Sequence, residues 1–171
     1  LMGEGVAEKR WTQKQKEKIY NTRVIGTQNL VIGALKHAKN LKSLISVSGI
    51  GYYNHLDISD KTEESETSNH FLGTLCQDWE SANQAINMST ESSKKIRFVC
   101  IRVGIVLGDG GALSKIKIPF LLGLGGKLGK GTQWMNWIHR EDLTNLLVEA
   151  SQNETFSGTY NGVSENNVTN T

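Results

Sequence analysis

The sequence has little net charge, few cysteines and a single proline, Pro119, and it has no long apolar run. Lysine and arginine (19) nearly balance aspartate and glutamate (17), which leaves a formal charge of +2. That is too small to build the basic field that attracts nucleic acid or an anionic membrane surface. No apolar run approaches the roughly 20 residues that a membrane-spanning helix needs. The two cysteines, Cys76 and Cys100, make no metal-ligand spacing, and no zinc pattern is present. Each stands in an apolar setting and reads as a reduced core thiol, as suits an intracellular protein. The chain opens on Leu-Met-Gly with neither a cleavable leader nor a plausible first strand. It ends, over residues 168–171, in what reads as the approach to a further helix. We expect an internal piece of a longer protein.

Several catalytic and nucleotide-binding motifs are missing as well. Gly129-Lys130 suggests a phosphate-binding loop, but Gly131 stands where a Ser or Thr should reach magnesium, and Leu124 stands where the first glycine belongs. His139-Arg140-Glu141-Asp142 has one glutamate too many for a kinase catalytic loop. There is no nucleophile elbow, and no G-x-G-x-x-G follows a first strand. Any dinucleotide loop therefore lies upstream of Leu1.

What is present is the pattern of an ordinary globular domain: 171 residues, 37% hydrophobic and 21% charged. Thr12 with Gln15 three positions on is a capping-box signature. Tyr20, Val24, Thr27, Val31, Ala34 and Leu35 follow at helical spacing on one face, so a helix is predicted there. Gly26 and Gly33 inside it each cost around 1 kcal/mol against alanine, which predicts a close neighbour. Residues 44–47 read as a buried strand that ends in the glycine-bearing turn Ser48-Gly49-Ile50-Gly51-Tyr52-Tyr53. Residues 54–69 are polar and acidic and read as a mobile surface loop. Residues 71–88 form a second helix with Leu72, Leu75, Cys76, Trp79, Ala82 and Ile86 as its buried stripe. A polar connection is expected at 89–95 and a second buried strand at 96–103. A last helix at 140–152 has its acidic residues Glu141 and Asp142 at the positive end of its dipole, and a final strand is expected at 158–162. Strands alternating with helices predict an α/β fold, a parallel sheet with helices on both faces.

The chain is organised around residues 101–142. There an apolar strand breaks into Gly104, Gly108, Gly110 and Gly111. A short amphipathic piece around Pro119 follows, then Gly123, Gly125, Gly126, Gly129 and Gly131, and then Gln133, Trp134 and Trp137. Glycine lets a backbone come close to a ligand at the carboxyl end of a strand, where open α/β sheets bind them.

These residues carry a resemblance. Arg10-Trp11-Thr12, the run from Ser48 to Tyr53, Cys76 with Asp78-Trp79-Glu80, Arg102-Val103-Gly104, Val106-Leu107-Gly108, Gly110-Gly111-Ala112-Leu113, Gly123-Leu124-Gly125-Gly126, Gln133 and Trp137-Ile138-His139 resemble the atypical extended short-chain dehydrogenase/reductases of the "epimerase family protein" branch. The resemblance implies a Rossmann-like fold entered after its N-terminal βαβ units, with residues 1–171 the later part of an NAD(P)-binding domain and 104–139 a glycine-rich excursion on the substrate side. NADP is the implied cofactor, with NAD as the alternative. Met2, Gly3, Ser48, Gly49 and Tyr52 are expected to line the cofactor cleft, with Arg102, Gly104, Ile105 and Val106 toward the nicotinamide end. Tyr53, Gln133, Trp134 and Trp137 are expected to border a pocket for an unidentified small-molecule substrate.

The superfamily's Tyr-x-x-x-Lys pair is not visible. Aligned on Glu80, its lysine place holds Cys76, its tyrosine place Leu72, its helper-serine place Gly49, and a helix asparagine place Arg23. The catalytic acid/base is left unassigned, with Tyr52, Tyr53 and His139 as candidates. The implied function is an NADP-dependent oxidoreductase or epimerase. A non-catalytic NADP-binding sensor or assembly protein is the alternative.

Overall fold

The computed structural model describes residues 3–57, 59–87, 96–127, 129–166 and 168–170. Met2 and the connection expected at 89–95 lie outside them. The first helical stretch starts where the capping residues put it. Thr12 Oγ1 accepts the backbone N–H of Gln15 (3.3 Å) at the head of α1, Gln13–Tyr20. The reciprocal half of the box is absent, because the Gln15 amide reaches Glu4 instead (3.3 Å). A π turn, Asn21–Ile25, joins α1 to α2, Gly26–His37. It adds a residue to one turn, so Ile19 and Val24, five positions apart, are both buried. Sequence periodicity at 3.6 residues misses Ile19 for this reason. The close neighbour expected at Gly33 is not found: a Cβ there meets nothing within 4 Å.

Strand β1 (Ser43–Gly49) leads through the short turn Ile50–Tyr52 and the loop to α3 (Phe71–Gln84). The turn Ala85–Asn87 extends α3. Strand β2 (Arg97–Val103) is followed by β3 (Ile105–Leu107), α4 (Gly111–Leu121), β4 (Trp137–His139), α5 (Arg140–Gln152) and β5 (Gly158–Gly162). Strands β1, β2 and β5 form one parallel sheet with β2 in the middle.

The central strand shows why the sheet is covered on both sides. Successive residues of a strand face opposite ways. Phe98 and Cys100 pack with Val31 and Ile86, beneath α2 and the end of α3. Val99 and Ile101 pack with Ala150 and the leucines of α5, Leu143, Leu146 and Leu147. Val99, Cys100 and Ile101 are fully buried, and burying a side chain such as Val or Ile is worth about 1.5–3 kcal/mol. Helix α5 has His139 as its cap, the Nδ1 accepting from the Glu141 N–H (3.3 Å). At its other end the Arg97 guanidinium donates to the carbonyls of Ala150 (2.7 Å) and Ser151 (3.2 Å).

A feature the sequence does not announce is a second, two-stranded parallel sheet, β3 with β4. It holds both ends of the glycine-rich excursion. Gly104 makes the step from β2 to β3 possible, since a Cβ there would stand 2.6 Å from the Asn136 carbonyl. Within the excursion, α4 leaves Ile118, Phe120 and Leu121 exposed.

Candidate functional site

Parallel pairing brings the carboxyl ends of β1 and β2 side by side, Ser48 opposite Arg102 and Gly49 opposite Val103. The chain leaves β1 in a tight turn. A Cβ on Gly51 would lie 3.1 Å from Leu72 Cβ, so the turn can sit directly on α3.

Beneath the two tips is a buried polar network. Arg102 is 4% exposed and Glu80 5%, so their charges must satisfy each other. Arg102 Nε donates to Glu80 Oε1 (2.9 Å) and Nη2 to Oε2 (2.8 Å). Its Nη1 donates to the Tyr53 hydroxyl (2.8 Å) and the Glu63 carbonyl (3.0 Å). Ser48 Oγ donates to Glu80 Oε1 (2.5 Å), and the Tyr53 hydroxyl donates to Asn161 Oδ1 (2.7 Å). The Tyr52 ring lies against the guanidinium, 3.5 Å from its carbon. Burial works against the charge on Arg102, but the bonds to Glu80 and Tyr53 outweigh it and hold the pKa above the ordinary arginine value. Burial raises the Tyr53 hydroxyl's pKa, against the pull of Arg102.

This network also pins the acidic loop. Glu63 Oε1 accepts the Asn161 N–H (2.6 Å), and the Tyr52 carbonyl accepts from Ser68 N (2.7 Å) and Thr67 Oγ1 (3.1 Å). The loop read from sequence as mobile is tied at three points, because its polar side chains and backbone find partners distant in sequence.

Beside the tips lies a cleft of about 830 Å³. Ile50, Gly51 and Tyr53 enter it from the end of β1, and His55, Asp60, Lys61 and His70 from the loop. Gln133, Trp134 and Asn136 enter from the returning excursion, and Asn161 and Ser164 from the end of β5. Asn136 Oδ1 is buried with no hydrogen-bond partner among the described groups.

The sequence-derived site residues are distributed unevenly around this geometry. Tyr53, Gln133 and Trp134 meet in the cleft. Trp137 does not join them: it pairs with Ile105 in the small sheet, and its carbonyl accepts from Ser164 N (2.6 Å). Gly49 and Tyr52 stand at the tip of β1. Ser48 and Arg102 stand at the tips too, but their polar atoms are committed to Glu80 and its neighbours. Gly104, Ile105 and Val106 form the step into β3 and its pairing with β4. Gly3 lies against the Arg23 guanidinium. Sequence reading used Glu80 to align the helix but gave it no place in the site, and it missed Asn136 and Asn161. Glu80 is a carboxylate among the buried residues of its helix, and that misfit was the available signal. The two asparagines carry none.

The cysteines do no chemistry that the geometry supports. Burial pushes the Cys76 thiol up to about 11 and the Cys100 thiol up to about 12. Among the described residues, no three His, Cys, Asp or Glu side chains gather to hold a metal ion, and no helix is long and apolar enough to cross a membrane.

Comparison with known proteins points the same way. A chloroplastic homologue of the epimerase family protein SDR39U1 from Arabidopsis thaliana is 34% identical over 162 residues, 93% of this chain and 45% of its own. The crystal structure of human epimerase family protein SDR39U1 with NADPH superposes with a TM-score of 0.89 at 32% identity, over 99% of this chain and 57% of that one. A nucleoside-diphosphate sugar epimerase from Corynebacterium glutamicum superposes with a TM-score of 0.80 at 34% identity, over 95% of this chain and 34% of that one. The chain spans about half the length of the curated relatives it matches. The profile of the NAD dependent epimerase/dehydratase family matches residues 1–161, and with its parallel sheet and paired strand tips the chain belongs to that family.

Proposed function

We propose that the chain forms the later half of an NADP-binding Rossmann-type domain, in a protein that acts on a small polar molecule held in the 830 Å³ cleft. The observation that carries this reading is the register Ser48↔Arg102 and Gly49↔Val103. It sets two strand tips next to each other, with Gly49 offering no side chain, directly beside the cleft. Ligands of open α/β sheets bind outside such tips. NADPH in the similar human structure supports the choice of cofactor. When bound, the cofactor supplies or accepts a hydride.

In this reading Gly3, Gly49 and Tyr52 border the cofactor, while Ser48 and Arg102 support it by holding the tips in place through Glu80. Ile105 and Val106 continue the wall from Gly104. The amide of Gln133 and the ring of Trp134 offer the substrate one polar and one flat contact, and the unpartnered Asn136 oxygen suits a hydroxyl donor. The substrate class is a hydroxylated small molecule of sugar-nucleotide kind.

Titration of the full-length gene product with NADPH, followed by nicotinamide fluorescence, tests the cofactor. A saturable change at micromolar concentration is expected, and no change at high micromolar concentration refutes it. A second reading, an NADP-binding protein without catalysis, is favoured by one observation. With Glu80 aligned on the superfamily's helix glutamate, Leu72 and Cys76 fall at the places of the Tyr-x-x-x-Lys pair, and neither transfers a proton at neutral pH: one is a hydrocarbon and the other a thiol held at about 11. Hydride transfer to any member of a carbonyl and sugar-nucleotide panel decides for the enzyme.

A further inference from the structure

Arg23 is a cation without a carboxylate. It projects from the π turn between α1 and α2, half-buried. The carboxylates of this region each have another partner. Glu4 pairs with Lys18 (2.8 Å) and Lys9 (3.5 Å), Asp78 accepts from Tyr20 (3.0 Å), and Glu80 is bound to Arg102. Among the described residues, no carboxylate lies within ion-pair distance of Arg23. Among the described residues one hydrogen bond holds it, from Nη1 to the Glu4 carbonyl (2.9 Å), and the Trp79 ring lies 5.5 Å from the guanidinium carbon. A guanidinium has several more N–H donors than this. Burial draws its pKa down from the usual arginine value, by more than the nearby Glu4 charge raises it.

Its place in the fold gives the spare donors a direction. The guanidinium lies flat on Gly3, where a Cβ would come within 2.7 Å of its carbon. Cys76 on α3 is close enough for its thiol to feel the charge of both Arg102 and Arg23. The Cys76 sulfur in turn stands 3.9 Å from where a Cβ on Gly49 would be, at the tip of β1. Of the two guanidinium groups acting at this corner, Arg102 is spent on Glu80, Tyr53 and Glu63, and Arg23 is not.

We propose that Arg23 is a cofactor-binding residue, donating from the free edge of its guanidinium to an acceptor oxygen, ribose hydroxyl or phosphate, of the dinucleotide held at the tips of β1 and β2. This rests on the NADP reading above and names a residue for it. It also accounts for Gly3, since any side chain there would displace the guanidinium. Helix α3 carries no cation at the Cys76 place; a residue of the preceding helix supplies one instead.

The test uses the full-length gene product and its R23Q and R23K variants, with dissociation constants for NADPH, for reduced nicotinamide mononucleotide and for 2′,5′-ADP, and with thermal melting as control. R23Q is expected to weaken NADPH about 10- to 100-fold, the worth of a hydrogen bond to a charged group. The loss should fall on only one of the two half-molecules, and which half assigns the oxygen as belonging to the nicotinamide or the adenosine side. R23K, keeping the charge without the planar fork, should fall between parent and R23Q. NADPH affinity within twofold of the parent in R23Q, or equal losses on both halves, overturns the proposal. Should R23Q not fold, R23K alone decides: an affinity equal to the parent's overturns the proposal, and a severalfold loss confined to one half supports it. A parent protein that does not bind NADPH sinks the cofactor reading and this inference with it, a result distinct from a variant that binds normally.

Discussion

Glu80 grips Arg102 by both carboxylate oxygens, Oε1 to Nε and Oε2 to Nη2, with the two side chains 6% and 5% exposed. The pair fastens α3 to the central strand directly under the proposed cofactor site. Removing one partner leaves a buried charge alone, which costs about 3–5 kcal/mol. E80Q should therefore lower the unfolding free energy by that order in urea denaturation. The double variant E80L/R102M should lose much less than E80Q alone, because no charge is stranded. An E80Q protein within about 1 kcal/mol of the parent would show that the pair does not hold the helix to the sheet.

Tyr53 Oη both accepts from Arg102 Nη1 and donates to Asn161 Oδ1. Y53F removes an acceptor from a buried guanidinium and a donor from an amide oxygen. The expected loss is about 1–3 kcal/mol. Tyr53 also lines the cleft, so substrate affinity should fall in Y53F while NADPH affinity changes little. Equal losses for both ligands would place the hydroxyl in the cofactor site instead.

Two helical glycines should respond in opposite directions to alanine. At Gly33 a Cβ meets nothing within 4 Å, so G33A should gain about 1 kcal/mol of helix propensity. At Gly73 a Cβ would stand 2.2 Å from the Ser68 carbonyl. G73A has to push the end of the loop away from α3, at a cost of about 1–3 kcal/mol. Melting temperatures of the two variants, one above and one below the parent, check this.

The buried thiols give the protein an alkaline limit. Their folded values, about 11 for Cys76 and about 12 for Cys100, exceed the ordinary 9.0. A raised folded pKa means that the contribution is complete below pH 9 and drains away as the pH climbs from 9 toward 11–12. Stability measured by denaturant should decline over that window and be less steep in C76A. At pH 8 the thiolate fraction of Cys76 is about 100-fold below that of an unfolded chain. A disulfide reagent should therefore label native protein slowly and urea-unfolded protein fast. Rapid labelling of the native state would contradict the buried assignment.

The amino-acid pattern determined the elements of the main sheet and its covering helices, and their order, but not β3 and β4. The apolar run of β2, the stripe Leu75-Cys76-Ala82-Ile86 on α3 and the capped start of α5 are local signals, and local periodicity reports which face of an element avoids water. The alternation of strands and helices then allowed little but a parallel sheet covered on both sides. The tertiary structure decided what depends on register between distant segments. It turned Glu80 inward onto Arg102, 22 positions away. It tied Glu63 to Asn161, paired β3 with β4 across the excursion, reset the first helix at its π turn, and laid the Arg23 guanidinium on Gly3. A polar side chain's partner is chosen by which strands and helices come to lie side by side, and no window along the chain contains that choice.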